Sequence, residues 1–172
     1  MKIVFFVILI SIQCLVKVQA QNYKYFNVEI PFAGYVEMEP VSNEERPYTE
    51  KGTLVYPAEH IGEYVSEVVR IMKKAISDEI ISNISEKDKE KISIIFYFDS
   101  LGKVFKMKMI MPDNILDCTT EEQWNIFCNQ FMAINVLKYI EVSDYDKKSF
   151  VHAMLTMRPY AYLKKHPELL ND

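Results

Sequence analysis

The stretch IIFYFDSLGKVFKMKM, residues 94–109, predicts a β-hairpin. Apolar residues alternate along both halves, as in strands that bury one face. Residues 99–102 predict the turn, because Asp99 can hydrogen-bond the turn backbone and Gly102 can adopt the left-handed conformation that closes such hairpins with a bulge. Two lysines alternate on the opposite side of the second strand, so we expect one face of the hairpin to be core and the other to be partly exposed.

Strands and a helix are predicted before the hairpin. Residues 23–30 and 33–40 alternate in short segments and predict two strands, whereas the polar residues 41–52 predict an exposed loop. Apolar positions then recur at helical spacing from Ile61 to Ile76. This pattern predicts the first main helix.

A second main helix is predicted after the hairpin. Thr119 or Thr120 predicts its cap, with Glu122 or Gln123 three residues later as the capping-box partner. The predicted apolar stripe consists of Trp124, Phe127, Cys128, Phe131 and Ile134.

The last long element is residues 149–160, which predict a strand, with a helix as the alternative. Val151, Ala153, Leu155 and Met157 alternate with more polar positions, and a proline that suits the end of a strand follows. The predicted fold is α+β, a small antiparallel sheet with a central β-hairpin packed against two main helices.

This order of elements resembles the C-terminal domain of TonB-type energy transducers. The segments ISIIFYFDSLGKVFKMKMIMP, TTEEQWNIFCNQF and FVHAMLTMRP carry the resemblance, which covers roughly the second half of the chain. It implies a small α+β module in a Gram-negative envelope that uses a sheet edge to hold a peptide partner. TonB-type proteins keep an N-terminal membrane anchor followed by a Pro-rich spacer, and this chain departs from that pattern, so energy transduction is not expected.

The first residues predict a cleaved export signal. Residues 1–20 combine a positive start, an apolar run that is too short to span a membrane, and small residues before a cleavage site between Ala20 and Gln21. A buried N-terminal element and a lipoprotein signal at Cys14 are the alternatives. We therefore expect residues 21–172 to form a single α+β domain that is periplasmic or secreted and has no transmembrane segment.

Charge and composition exclude several classes of protein. The net charge of −4 becomes −6 when Lys2 and Lys17 leave with the signal. Nucleic-acid binding is not expected of a chain with this acidic balance. Hydrophobic residues make up 49% of the chain, which is sufficient for a packed core.

The histidines predict no metal site. Glu59, His60 and Glu63 lie within one predicted helical turn, but no second histidine follows, and acidic residues are favoured at a helix start. His152 is expected on the more polar face of the last strand, and His166 lies in the tail.

The cysteines that remain after cleavage are Cys118 and Cys128. Two buried thiols are the favoured interpretation, and a disulfide is the alternative. Cys128 and His152 are the sharpest candidate for a catalytic pair, but Cys128 falls on an apolar stripe, where burial would keep its thiol inert.

Tyrosines are concentrated near both ends of the predicted domain. We interpret them as half-buried side chains, with an aromatic binding surface as the alternative. They are Tyr23, Tyr25, Tyr35, Tyr48, Tyr56, Tyr139, Tyr145, Tyr160 and Tyr162.

No catalytic, cofactor-binding or metal-binding residue is predicted, because the chain contains no nucleophile elbow, phosphate loop or zinc-protease motif. The sequence predicts a non-catalytic binding or structural accessory of the bacterial envelope. A small secreted hydrolase with a dispersed active site is the alternative. The predicted partner is a protein or peptide bound through a sheet edge at residues 150–157.

Overall fold

The structure is a computed structural model. It describes residues 23–45, 49–50, 52–55, 58–77, 81, 91–143 and 149–170. The predicted signal peptide and its cleavage site lie outside the described residues.

The described residues form a mixed set of strands and helices. The strands are β1 (Phe26–Phe32), β2 (Tyr35–Pro40), β3 (Thr49–Glu50), β4 (Thr53–Val55), β5 (Ile92–Phe98), β6 (Val104–Pro112), β7 (Glu141–Ser143) and β8 (Ser149–Met157). The helices are α1 (Ala58–Ala75), α2 (Asn114–Cys118), α3 (Glu121–Met132) and α4 (Pro159–Lys165), with short 3-10 helices at Val136–Lys138 and Pro167–Leu170.

The main sheet has the order β1-β2-β6-β5-β8-β3. Its first five strands are antiparallel, whereas the two-residue β3 pairs in parallel with the start of β8. Strands β4 and β7 form a separate antiparallel pair. The prediction of an α+β fold with a central hairpin is therefore confirmed.

The hairpin turn forms as the sequence predicts. Gly102 has a φ of 76°, and Asp99 Oδ1 accepts hydrogen bonds from the N–H groups of Leu101 and Lys103 at 3.0 and 3.1 Å. The Gly102 carbonyl also accepts a bond of 3.1 Å from the Val136 N–H. The turn is therefore tied to the chain segment that follows α3.

The core lies between one face of the sheet and the two long helices. Phe96 in β5 contacts both helices, with ring centroids 6.1 Å from Tyr64 of α1 and 5.3 Å from Phe131 of α3. The methionines that alternate along β6 are fully buried on the same face. Aromatic and methionine side chains thus fill the space between the layers.

Helix α3 begins with the capping box that the sequence predicts. The Thr120 side chain accepts a hydrogen bond from the Gln123 N–H, and Gln123 Oε1 accepts one from the Thr120 N–H at 2.9 Å. Four residues of the predicted stripe are buried, and the fifth, Ile134, lies beyond the end of the helix and is partly buried.

The structure refines three of the sequence-based expectations. The predicted loop at 41–52 contains β3, whose two-residue pairing with a distant strand leaves no local pattern. The predicted last strand forms as β8 and ends at Met157, and Pro159 then opens α4, where the missing N–H has no intrahelical partner to lose. The first main helix ends at Ala75, one residue before Ile76.

None of the described helices is long and apolar enough to cross a membrane.

Candidate functional site

The sheet face that points away from α1 and α3 is called the open face. Every second side chain of the central strands lies on this face. Tyr97 of β5 is flanked by Lys106 of β6 and His152 of β8. Ile95 of β5 is flanked in the same way by Lys108 and Met154. These side chains are half-buried or exposed, in contrast to the fully buried residues between them. The prediction of one buried and one partly exposed hairpin face is confirmed.

The lysines of the open face are paired with glutamates. Lys108 Nζ lies 3.0 Å from Glu37 Oε1, and Lys106 Nζ lies 3.3 Å from Glu39 and 2.6 Å from Glu45. Hydrogen bonds to Glu45 and Glu37 raise the pKa values of Lys106 and Lys108, respectively. The positive charge at the centre of the open face is therefore balanced within the protein.

Aromatic rings line the open face beside the start of β8. The ring of Tyr97 lies 5.7 Å from Phe150 and 5.9 Å from His152, and Phe105 lies 5.9 Å from Phe150. These contacts pack the side chains at the start of β8 against the hairpin.

The direction of each backbone group of β8 follows from the ladder. In the turn, the Asp99 N–H donates to the Lys103 carbonyl at 3.1 Å. The β5–β6 register shifts between Tyr97 and Phe98, but the extra residue lies on β6, so hydrogen-bonded pairs still alternate along β5. Odd-numbered residues of β5 therefore bond to β6, and even-numbered residues bond to β8. Residues 151, 153, 155 and 157 of β8, which lie opposite even-numbered residues of β5, therefore bond to β5.

Contacts of β6 independently support this assignment of backbone hydrogen-bond directions. The Asn43 side chain lies on the β2 side of β6, where its Oδ1 accepts from the Met107 N–H at 3.1 Å and its Nδ2 donates to the Met107 carbonyl at 2.8 Å. The backbone N–H and C=O groups of odd-numbered residues of β6 thus point toward β2, and those of even-numbered residues point toward β5, as the alternation along β5 requires.

The outer edge of β8 is the side away from β5. By the same alternation, His152, Met154 and Thr156 direct their N–H and C=O groups toward it. Strand β3 pairs only with Ser149 and Phe150, and within the described residues no strand pairs with the outer edge of β8 beyond that point. Strand β4, which follows β3, lies beside β8 but pairs with β7.

A side-chain contact marks the end of β3. His152 Nδ1 meets Glu50 Oε1, and each of the two side chains is 51% exposed. Met154, the next residue of β8 on the open face, is 60% exposed. The outer edge of β8 therefore presents three aligned residues and an exposed apolar side chain directly after β3.

The opposite edge of the sheet, at β1, is built differently. The β1–β2 register shifts between Glu29 and Phe32, so a bulge interrupts the strand. Pro31 within this bulge has no N–H, and Glu29 lies directly opposite Glu37, a like-charge pair. Bulges, prolines and charges are the features that discourage strand addition at an edge.

The other histidines form local contacts. His60 Nδ1 lies 3.6 Å from Glu63 Oε2, and His166 Nδ1 lies 3.1 Å from Glu168 Oε1. In the part of the chain that the structure describes, no group of three or more His, Cys, Asp or Glu side chains could hold a metal ion.

The two described cysteines are free thiols. Cys128 is buried, with its Sγ 4.0 Å from Met109 Sδ, and burial raises the pKa of its thiol. Cys118 is exposed at the end of α2, so the prediction that both thiols are buried is wrong for this residue. Cys128 and His152 lie on opposite faces of the sheet, and the candidate catalytic pair does not form.

The tyrosines are mostly half-buried. Tyr23, Tyr25, Tyr139 and Tyr162 pack partly buried against the core, as the favoured interpretation predicts. Tyr97, which contacts the β8 side chains, was not singled out by the sequence, although its place between Phe96 and Phe98 puts it on the open face. Tyr48, Tyr56 and Tyr145 lie outside the described residues.

No family model matches the chain, and no curated protein matches it. The fold is similar to a crystal structure of a DUF5043 family protein from Bacteroides uniformis ATCC 8492, with a TM-score of 0.46 and 11% identity; the match covers 78% of this chain and 85% of that one. The resemblance to TonB-type domains stays a prediction.

Proposed function

We propose that this protein is a non-catalytic binding module of the bacterial envelope, which holds an extended segment of a partner protein at the outer edge of β8. Strand addition of this kind satisfies unpaired backbone groups of a sheet edge and gains affinity from main-chain hydrogen bonds. The bound segment would continue the sheet from the point where β3 ends.

The difference between the two sheet edges carries this proposal. Strand β1 combines a bulge, a proline and the exposed charge of Glu29, features that discourage pairing at an edge. Strand β8 pairs with β5 in an unbroken register from Ile92↔Met157 to Phe98↔Val151. A regular strand without proline between residues 151 and 157 is a better template for a partner strand.

Packing supports the same role. The residues of β8 that face the helices, such as Val151 and Ala153, are buried, and they fix the strand on the core. Binding then requires little further ordering of β8, since a pre-organised strand loses little conformational entropy when a partner binds. Met154 adds an exposed apolar surface at the middle of the edge.

Export is part of the proposal. The basic start, the apolar run and the small residues before Gln21 support cleavage of residues 1–20. Mass spectrometry of the protein from a bacterial culture is expected to give an N-terminus at Gln21. An intact chain that begins at Met1 in the cytoplasm would contradict export.

The edge function is tested with Thr156→Pro. Proline at this position removes an N–H that points outward, so the ladder with β5 is kept while strand addition is blocked. The matched control Thr156→Val keeps the N–H and removes only the hydroxyl, which lies 3.0 Å from Ser93 Oγ. Leu155→Pro removes an N–H that bonds to β5 and is expected to unfold the domain.

The readout is capture from envelope extract followed by amide exchange. Wild type and Thr156→Val are expected to retain the same protein, which protects the amides of residues 152, 154 and 156. Folded Thr156→Pro is expected to lose it. Equal capture by Thr156→Pro and wild type, or capture without protection of these amides, would refute the edge function.

A further inference from the structure

We infer the chemistry of the segment that binds the outer edge of β8. The segment runs antiparallel to β8 and carries, at alternating positions from its N-terminus, an acidic residue, a β-branched residue, a large apolar residue and a basic residue. This inference rests on the proposed function and adds the sequence pattern of the partner to it.

The direction follows from the sheet. Its five long strands are antiparallel to their neighbours, and antiparallel pairing is slightly more stable per residue than parallel pairing. A partner strand that pairs in this way passes Arg158 first, then Thr156, Met154 and His152. The partner residues opposite these four positions place their side chains on the open face.

The centre of the pattern is set by Met154. Its side chain is 60% exposed, and its cross-strand neighbour on β5 is Ile95, which is half-buried on the same face. A large apolar partner residue opposite Met154 would remove the exposed Met154 side chain from water. The flexible thioether adapts to apolar side chains of different shape, so phenylalanine, leucine and methionine all fit this position.

The two ends of the edge carry opposite charges. At one end, Glu50 contacts His152, and its side chain is 51% exposed, so the carboxylate can accept a further contact from a bound segment. Lys106, the lysine nearest to His152 in the register, is already bonded to Glu39 and Glu45. A basic partner residue opposite His152 therefore lies beside an available carboxylate.

Arg158 is exposed at the other end, directly after β8. An acidic partner residue there is attracted and a basic one is repelled. Between the charges and the apolar centre, Thr156 is exposed and bonded to Ser93, and cross-strand pairs of threonine with β-branched residues are favourable. The charges at the two ends thus fix the orientation of the segment.

The test uses two labelled peptides and the mature chain from Gln21. The forward peptide contains Glu-Ser-Thr-Ser-Phe-Ser-Lys, and the swapped peptide exchanges its glutamate and lysine. In fluorescence anisotropy, the forward peptide is expected to bind about fivefold more tightly, as two exposed charge contacts allow. The double variant Glu50→Lys/Arg158→Glu is expected to prefer the swapped peptide, whereas the control Glu122→Lys on α3 keeps the original preference.

Equal binding of the two peptides, or a preference that the double variant does not reverse, would overturn the inferred pattern. The forward peptide with aspartate in place of phenylalanine is expected to bind more weakly still. Failure of both peptides to bind also overturns the pattern. The edge function is judged separately by capture with Thr156→Pro, so the two failures are distinguishable.

Discussion

Replacing Gly102 with alanine tests how the hairpin turn is anchored to the rest of the domain. A Cβ atom at this position would lie 2.2 Å from Asn135 Oδ1 and 2.8 Å from Leu137 Cγ. Asn135 cannot retreat freely, because its Oδ1 accepts the Leu137 N–H at 3.1 Å and caps the 3-10 helix that follows α3. The substitution therefore combines backbone strain with the loss of a cap.

The expected loss of unfolding free energy is the sum of two contributions. Left-handed backbone costs a non-glycine residue about 1–2 kcal/mol, and loss of a side-chain cap costs about 1 kcal/mol. Gly102→Ala is thus expected to lower the unfolding free energy by about 2–3 kcal/mol in urea denaturation. A β-branched residue is expected to cost more.

Gly34→Ala is the matched control for the Gly102 substitution. Gly34 has a φ of 82°, and no atom lies within 4 Å of the position that an alanine methyl group would occupy there. Its loss is expected to be the backbone contribution alone, about 1–2 kcal/mol. Equal losses for the two glycines would refute the role of Asn135, and no loss at Gly102 would refute the turn conformation itself.

Three further predictions use single sites. Gly62→Ala is expected to stabilise the protein by about 0.5–1 kcal/mol in urea denaturation, because Gly62 lies in α1 and no atom lies within 4 Å of the position of the new methyl group. A loss of stability would mean that this turn is not helical. Iodoacetamide is expected to modify Cys118 in the native protein and to modify Cys128 only after denaturation, because the Cys118 thiol is exposed and the Cys128 thiol is buried. Equal modification rates of the two cysteines in peptide mapping would contradict this packing. The pKa of Lys108 is raised by its hydrogen bond to Glu37, so the pair stabilises the fold below the unfolded pKa of about 10.4, and this contribution is lost as the pH rises through the folded value. Glu37→Gln is expected to flatten that part of the pH profile of unfolding, and an unchanged profile would contradict the contact.

The sequence predicts the hairpin and the cap of α3 because their signals are local. Asp99 accepts a hydrogen bond from an N–H group two residues along the chain, and Thr120 bonds a residue three positions away. Strand β3 could not be predicted, since its pairing with Ser149 and Phe150 joins residues about a hundred positions apart without a repeating pattern.

The candidate site was only partly predictable for the same reason. Alternation along β8 places His152 and Met154 on the exposed face, and the resemblance suggests a sheet edge at this strand. The outward direction of their backbone groups depends on the register with β5, which no single-sequence pattern contains. The contact of His152 with Glu50 and the bulge that protects β1 likewise depend on tertiary pairing.

Residue-resolved amide exchange along β8 of the isolated mature protein tests the central claim most directly. If β8 has an available outer edge, the N–H groups of residues 151, 153, 155 and 157 are protected by their bonds to β5, and those of residues 152, 154 and 156 exchange rapidly. Alternating protection is the predicted result. Equal, strong protection of all seven amides would show that the edge is already covered and would contradict the account.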